Sequence, residues 1–133
     1  MRQNPIPSVR AIIKNVNGEV LILKRAAHGN YGNVWCLPGG KIDFVRSAEA
    51  TVMKEVKEET NLNCTEVKFL FYLDGLPSQR YNTHYPTLYF KCKAEGQVKL
   101  NDESVEFAWV DKSNLQKYDI IFENDIAIER YVV

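Results

Sequence analysis

Three glutamates, Glu55, Glu58 and Glu59, fall within five residues of one another. On a helix, residues three and four apart share a face, so the three carboxylates are drawn to one side. The arrangement is costly, because like charges at that spacing repel and the C-terminal end of a helix already carries negative partial charge. Ala48, Val52 and Val56 mark an apolar stripe, and at about 3.6 residues per turn Glu55 and Glu59 fall within or beside it. A solvated helix places its acids opposite such a stripe. Carboxylates here call for a cation, and hard oxygen donors suit Mg²⁺ or Mn²⁺.

The helix that must carry them starts at Ser47, an N-cap type residue, with Glu49 in the first turn. No proline or glycine interrupts the residues that follow, up to Leu62. Before it stand a short strand over residues 34–37 and the stop Pro38-Gly39-Gly40. Residues 8–15 read as a strand in which Val9, Ala11 and Ile13 alternate with Arg10, Ile12 and Lys14. Asn17-Gly18 is a hairpin signal, with residues 19–25 as the return strand, and residues 26–32 form a Gly- and Asn-rich loop. Further strands are expected over residues 67–74, 87–94 and 105–110, with a polar, aromatic loop over 75–86 and a turn region over 96–103. Residues 111–115 suggest a short turn or helix. Residues 122–133 read as a closing amphipathic helix whose apolar contacts are Phe122, Ile126, Tyr131 and Val133. Strands dominate, and the two helices stand where they can cover both faces of a mixed sheet.

The chain of 133 residues is 45% hydrophobic and 26% charged, the balance of one soluble globular domain over residues 1–133. Its formal net charge is zero, which argues against a nucleic acid polymer held by bulk electrostatics. No apolar run reaches membrane-spanning length and the first residues lack the apolar core of a signal peptide, so a cytoplasmic protein with no membrane partner is expected. The three cysteines, Cys36, Cys64 and Cys92, are far apart and form no CxxC pair, as for reduced thiols.

From Gly40 onward the chain runs Gly40, Arg46, Lys54, Glu55, Val56, Glu58, Glu59, Asn61, Leu62. This resembles the Nudix hydrolase signature: G, five residues, E, seven residues, then REUxEExGU with U aliphatic. The preceding WCLPGG and the later FAWVDKSNL are also similar to family sequence. The resemblance implies an α/β fold of Nudix type, a mixed sheet sandwiched between helices (α/β/α). Three positions depart from it. Arg46 stands where the first glutamate belongs and is expected to be a loop residue, not a ligand. Lys54 replaces arginine, keeping charge but losing the planar fork. Asn61 replaces glycine after the helix, and Asn tolerates the left-handed conformation needed there.

The resemblance also implies a site. The metal is expected on Glu55, Glu58, Glu59, a Gly39 carbonyl and Glu103, with Glu106 as the runner-up for the last. A general base would come from Glu55 first or Glu103 second. Arg25 and Lys41 are similar to phosphate contacts of MutT-like members, and Asn124 to a purine-reading asparagine, with a helix N-cap as its alternative. Arg80, Tyr81, His84 and Tyr85 lie in the loop that usually sets substrate choice. The implied reaction is Mg²⁺-dependent hydrolysis of a phosphoanhydride in a nucleotide, first a nucleoside triphosphate giving a monophosphate and pyrophosphate. Pro77, fifteen residues past Leu62, matches a spacing found in ADP-ribose pyrophosphatases, so ADP-ribose or a nucleotide sugar is the second candidate. A catalytically silent nucleotide- or partner-binding domain is the third. A monomer or homodimer is expected.

Overall fold

The computed structural model describes residues 3–132. Seven strands make two sheets: β1 (Ser8–Ile12), β2 (Val20–Arg25), β3 (Trp35–Cys36), β4 (Gly39–Lys41), β5 (Asn63–Leu73), β6 (Thr87–Glu95) and β7 (Ser104–Val110). One sheet has the order β4-β1-β6-β5 and is mixed, since β1 runs parallel to β6 and the other pairs are antiparallel. The other has the order β3-β2-β7 and is antiparallel. Helices α1 (Ala48–Thr60) and α2 (Asn124–Val132) complete the fold.

Strand periodicity sends alternate side chains of β1 and β2 into two cores. Val9, Ala11, Leu21 and Leu23 pack with Val52 and Val56 of α1. Ile12, Val20 and Ile22 pack with Ala127 and Ile128 of α2. The helices therefore cover opposite faces of the strand layer, which is the sandwich anticipated from the sequence. Because β1 is central, both its faces are buried, and Arg10 is buried with them.

Several boundaries differ from the sequence reading. The Asn17-Gly18 turn forms, with Asn15 Oδ1 accepting the amides of Asn17 and Glu19, and it closes a short hairpin in which the Asn15 amide donates to the Glu19 carbonyl and the Leu21 amide to the Ile13 carbonyl. β1 has both edges occupied by β4 and β6, so β2 leaves after the Lys14–Val20 bridge for the second sheet. Gly39 and Gly40 do not merely stop a strand: they open β4, with Gly39 opposite Arg10. β5 begins at Asn63 rather than at 67. Asn61, left-handed at φ 69°, turns the chain out of α1, and Asn63 at once pairs with Glu95. The last helix starts at Asn124, because Phe122 and Glu123 are both left-handed. Phe122 is thus a loop residue, and Ile126 is 42% exposed while Ala127 and Ile128 carry the packing. Tyr131 does pack against the core; Val133 lies outside the described residues.

Candidate metal and nucleotide site

The N-cap at Ser47, whose hydroxyl accepts the Ala50 amide at 3.1 Å, sets the start of α1. That register turns Glu59 inward, where it is only 8% exposed, with Glu55 partly buried beside it. The two glycines make room for them. A Cβ at Gly39 would overlap the Val9 carbonyl, and one at Gly40 would stand 3.2 Å from the Glu55 carboxyl carbon. The Gly39 amide donates to Glu59 Oε1 at 3.4 Å. Sequence spacing alone placed the carboxylates on a helix; the β1–β4 pairing brings a side-chain-free backbone against them.

Burial pushes the Glu59 carboxyl well above its ordinary pKa, its contact with Glu55 adds to this, and the Arg10 charge opposes it. Without a cation, Glu59 therefore favours its protonated form. Two adjoining carboxylates, partly desolvated and facing a polar cleft, are a donor set that fits a hard divalent ion. Among the described residues no group of three acidic, His or Cys side chains is assembled closely enough to hold one. The reason is Glu58, which is half exposed and bound to Lys54 at 3.2 Å. The Lys54 ammonium is raised in pKa chiefly by that contact with Glu58, and it also lies 3.6 Å from Asp43 and 3.9 Å from Glu55.

A cleft of about 570 Å³ opens over this pair. Of the residues singled out in the sequence, Gly39, Lys41, Glu55, Glu59, Arg25, Glu103 and Tyr85 line it. Arg25 is held there by two hydrogen bonds to the Asn30 carbonyl, at 3.1 and 3.2 Å. Glu103 lines the cleft beside Arg25, where its carbonyl accepts the Ala26 amide. Glu106 lies on β7 opposite Lys24, outside the cleft lining.

Three expected site residues are not brought to the cleft. Glu58 points to Lys54, as above. Arg80 makes a two-pronged ion pair with Asp119, at 2.8 and 3.0 Å. Asn124 is wholly buried: its amide donates to the Tyr89 hydroxyl and the Phe122 carbonyl, and its oxygen accepts the Leu37 amide at 2.8 Å. It is the first helical residue rather than the N-cap, and its hydrogen bonds are spent on the protein. Of the other loop residues, Tyr81 is buried in an aromatic cluster with Tyr31, Tyr85 and Phe122. His84 and Pro77 line a separate cavity of about 440 Å³ beside residues 3–6. Arg46 is an exposed loop residue 3.5 Å from Asp43.

Other residues reach the cleft without any local signal. Arg10 and Phe122 line it, and the Arg10 and Arg25 guanidinium carbons lie 5.3 and 5.4 Å from the Phe122 ring centre. The left-handed pair Phe122–Glu123 is held by Asn124 on the Phe122 carbonyl and by the Gly75 amide on Glu123 Oε1. Bulky residues rarely adopt that conformation, so the sequence offered no sign of it. Asp43 also lines the wall.

The chain matches the NUDIX domain model over residues 4–131. It is 32% identical over 130 residues to the nucleoside triphosphatase NudI of Klebsiella pneumoniae, with 90% of each chain covered. It is 28% identical over 130 residues to an ADP-ribose pyrophosphatase of Methanocaldococcus jannaschii, covering 97% of this chain and 74% of that one. Among solved structures, a MutT protein from Methanosarcina mazei superposes with a TM-score of 0.83 at 24% identity, over 98% and 97% of the two chains; that likeness concerns the fold. No helix among the described residues is long and apolar enough to cross a membrane.

Proposed function

This chain belongs to the Nudix hydrolase family, which makes it a hydrolase of pyrophosphate bonds, and on that premise we propose that it hydrolyses a nucleoside triphosphate to a monophosphate and pyrophosphate with a divalent cation, Mg²⁺ or Mn²⁺, at Glu55 and Glu59. The observation that carries this reading is the pairing of buried Glu59 with partly buried Glu55 against the Gly39-Gly40 backbone, in a cleft that also presents Arg25 and Lys41. Glu58 and the Gly39 carbonyl complete the proposed ligand set, with Glu103 from the cleft lining; Glu58 must release Lys54 to join it. The ion, when bound, supplies charge neutralisation for the anhydride oxygens.

The residues divide the remaining work. Arg25 and Lys41 hold the phosphates, as charge-assisted donors do. Glu55, at the cleft wall beside Gly40, accepts the proton of the attacking water; Glu103 is the alternative base. Proton acceptance by a positioned carboxylate contributes roughly 10²- to 10⁴-fold.

A second substrate, ADP-ribose or a nucleotide sugar, is supported by the name of the Methanocaldococcus jannaschii relative and by the Pro77 spacing. Assays of nucleoside monophosphate formation over nucleoside triphosphates, ADP-ribose and nucleotide sugars, with the accompanying pyrophosphate or sugar phosphate identified and with and without Mg²⁺, separate the two. Pyrophosphate from triphosphates supports the first reading. Turnover confined to ADP-ribose or nucleotide sugars replaces it with the second.

A further inference from the structure

Arg10 is only 8% exposed, yet it lines the cleft. It stands on β1 opposite Gly39, between the Glu59 carboxylate, whose charge it opposes, and the Phe122 ring. Its Nη1 donates to the Leu37 carbonyl at 2.7 Å. Its Nε and Nη2 have no hydrogen-bond partner among the described residues. No buried nitrogen there is left unpartnered, so both open onto the cleft. Nε and Nη2 form one edge of the guanidinium, with N–H groups that match a pair of adjacent acceptors.

A buried arginine with a free donor edge is costly to leave unmet once a ligand expels water. Two parts of a nucleotide can meet it: phosphate oxygens, or the carbonyl edge of a base. The phosphates already have Lys41 and Arg25 at the rim, together with the carboxylate-bound cation of the proposed reaction. The surroundings of Arg10 away from Glu59 are aromatic, with Phe122 against it and Tyr31 and Tyr85 in the same lining. Such walls suit a planar base. Guanine offers O6 and N7 as two adjacent acceptors and uracil offers O4, whereas adenine and cytosine present an amino group at the equivalent place. An amino group would set donor against donor.

We infer that Arg10 is a specificity-determining residue that reads the base and selects keto bases, guanine foremost, over amino bases. This rests on the nucleotide reading above and names which nucleotides the cleft takes. It needs no catalysis to be tested.

Binding of GMP, AMP, UMP and CMP to the intact, metal-free protein is measured by calorimetry. Pyrophosphate release from GTP, ATP, UTP and CTP is measured with Mg²⁺. The inference expects GMP over AMP by about tenfold or more, the scale of a good bidentate base contact, and UMP over CMP in the same direction by about threefold, since uracil offers a single acceptor there. Arg10→Gln should bring the GMP-to-AMP ratio to within about threefold, and Arg10→Lys, which keeps charge without the fork, should fall between. Ratios within about twofold in the wild-type protein overturn the inference, and they do so even if the variants fail to fold. Equal loss on all four bases in Arg10→Gln also overturns it and assigns Arg10 to phosphate or to structure. Keto-selective binding with no triphosphate hydrolysis upholds the inference while refuting the proposed reaction; hydrolysis without base preference does the reverse.

Discussion

Asp43 Oδ2 lies 3.6 Å from the Lys54 ammonium and 3.5 Å from Arg46 Nε. One carboxylate thus contacts both Arg46, where the chain reverses the charge of the family signature, and Lys54, where it keeps the charge without the planar fork. The negative group that the signature places at position 46 has a counterpart three residues earlier, on the cleft wall. All three side chains are partly exposed, so solvent screens each pair and neither adds much to stability. Their role is to tether the loop before α1 to Lys54.

Arg46→Glu is expected to leave turnover equal or raised, since it restores the carboxylate of the family signature and removes a cation whose charge opposes metal binding. Steady-state kinetics on the best nucleotide decide it. A large loss would mean that Arg46 contacts substrate.

Metal dependence is the second expectation. Turnover should need millimolar-range Mg²⁺ or Mn²⁺ and stop with EDTA, because sites of few carboxylates that leave Mg²⁺ partly hydrated are weak. Full turnover in excess chelator would be incompatible with the proposed role of Glu55 and Glu59.

Roles within the cluster separate by substitution. Glu59→Gln and Glu58→Gln should weaken metal binding and turnover together. Glu55→Gln should cut turnover by roughly 10²- to 10⁴-fold if it is the base. If Glu103→Gln is instead the more damaging, with metal affinity kept, the base is Glu103.

Glu59 also makes stability depend on pH. Its folded pKa is raised above the ordinary 4.5, mainly by burial. Between the unfolded and folded values, the folded state binds the extra proton, so stability falls as pH rises through that window. Thermal melts of the metal-free protein should therefore lose stability from about pH 4.5 upward, and Glu59→Gln should flatten that fall. Mg²⁺ should stabilise the wild type more at the high end of the window, where the carboxylate is ionised. A Glu59→Gln profile identical to wild type would show that the burial cost lies elsewhere.

Asn124→Ala tests whether that residue serves the fold. It leaves the Leu37 amide without its acceptor, at a cost of about 1–3 kcal/mol for a buried group left unmet, while the Tyr89 hydroxyl keeps the Phe122 carbonyl. Urea unfolding should show that loss, and base preference among bound monophosphates should stay as in the wild type. A stable variant with altered base preference would return Asn124 to the site.

The helix, its caps and its carboxylates were legible in the chain because each depends on residues within a few positions. Ser47 caps α1, Asn61 leaves it left-handed, and the spacing of Val52 and Val56 against Glu55 and Glu59 sets which face is buried. The signature made the family, the two-helix sandwich and the cation-seeking pair readable for the same reason. What local spacing does not encode is which strands become neighbours. The β1–β4 pairing puts Arg10 opposite Gly39, turning a residue that read as the polar side of an alternating strand into a buried cation on the cleft floor. The Asn17-Gly18 hairpin formed as its turn chemistry indicates, but the packing of β2 into a second sheet kept it short. Phe122 reached the cleft only because Asn124 and the Gly75 amide hold two left-handed residues in place, contacts separated by up to 48 positions. Glu58 was equally well spaced for the metal, but Lys54, one turn earlier, holds its carboxylate outward. Helical periodicity fixes the direction of a Cβ; the position of a long charged head is decided by whichever partner the folded chain brings within reach.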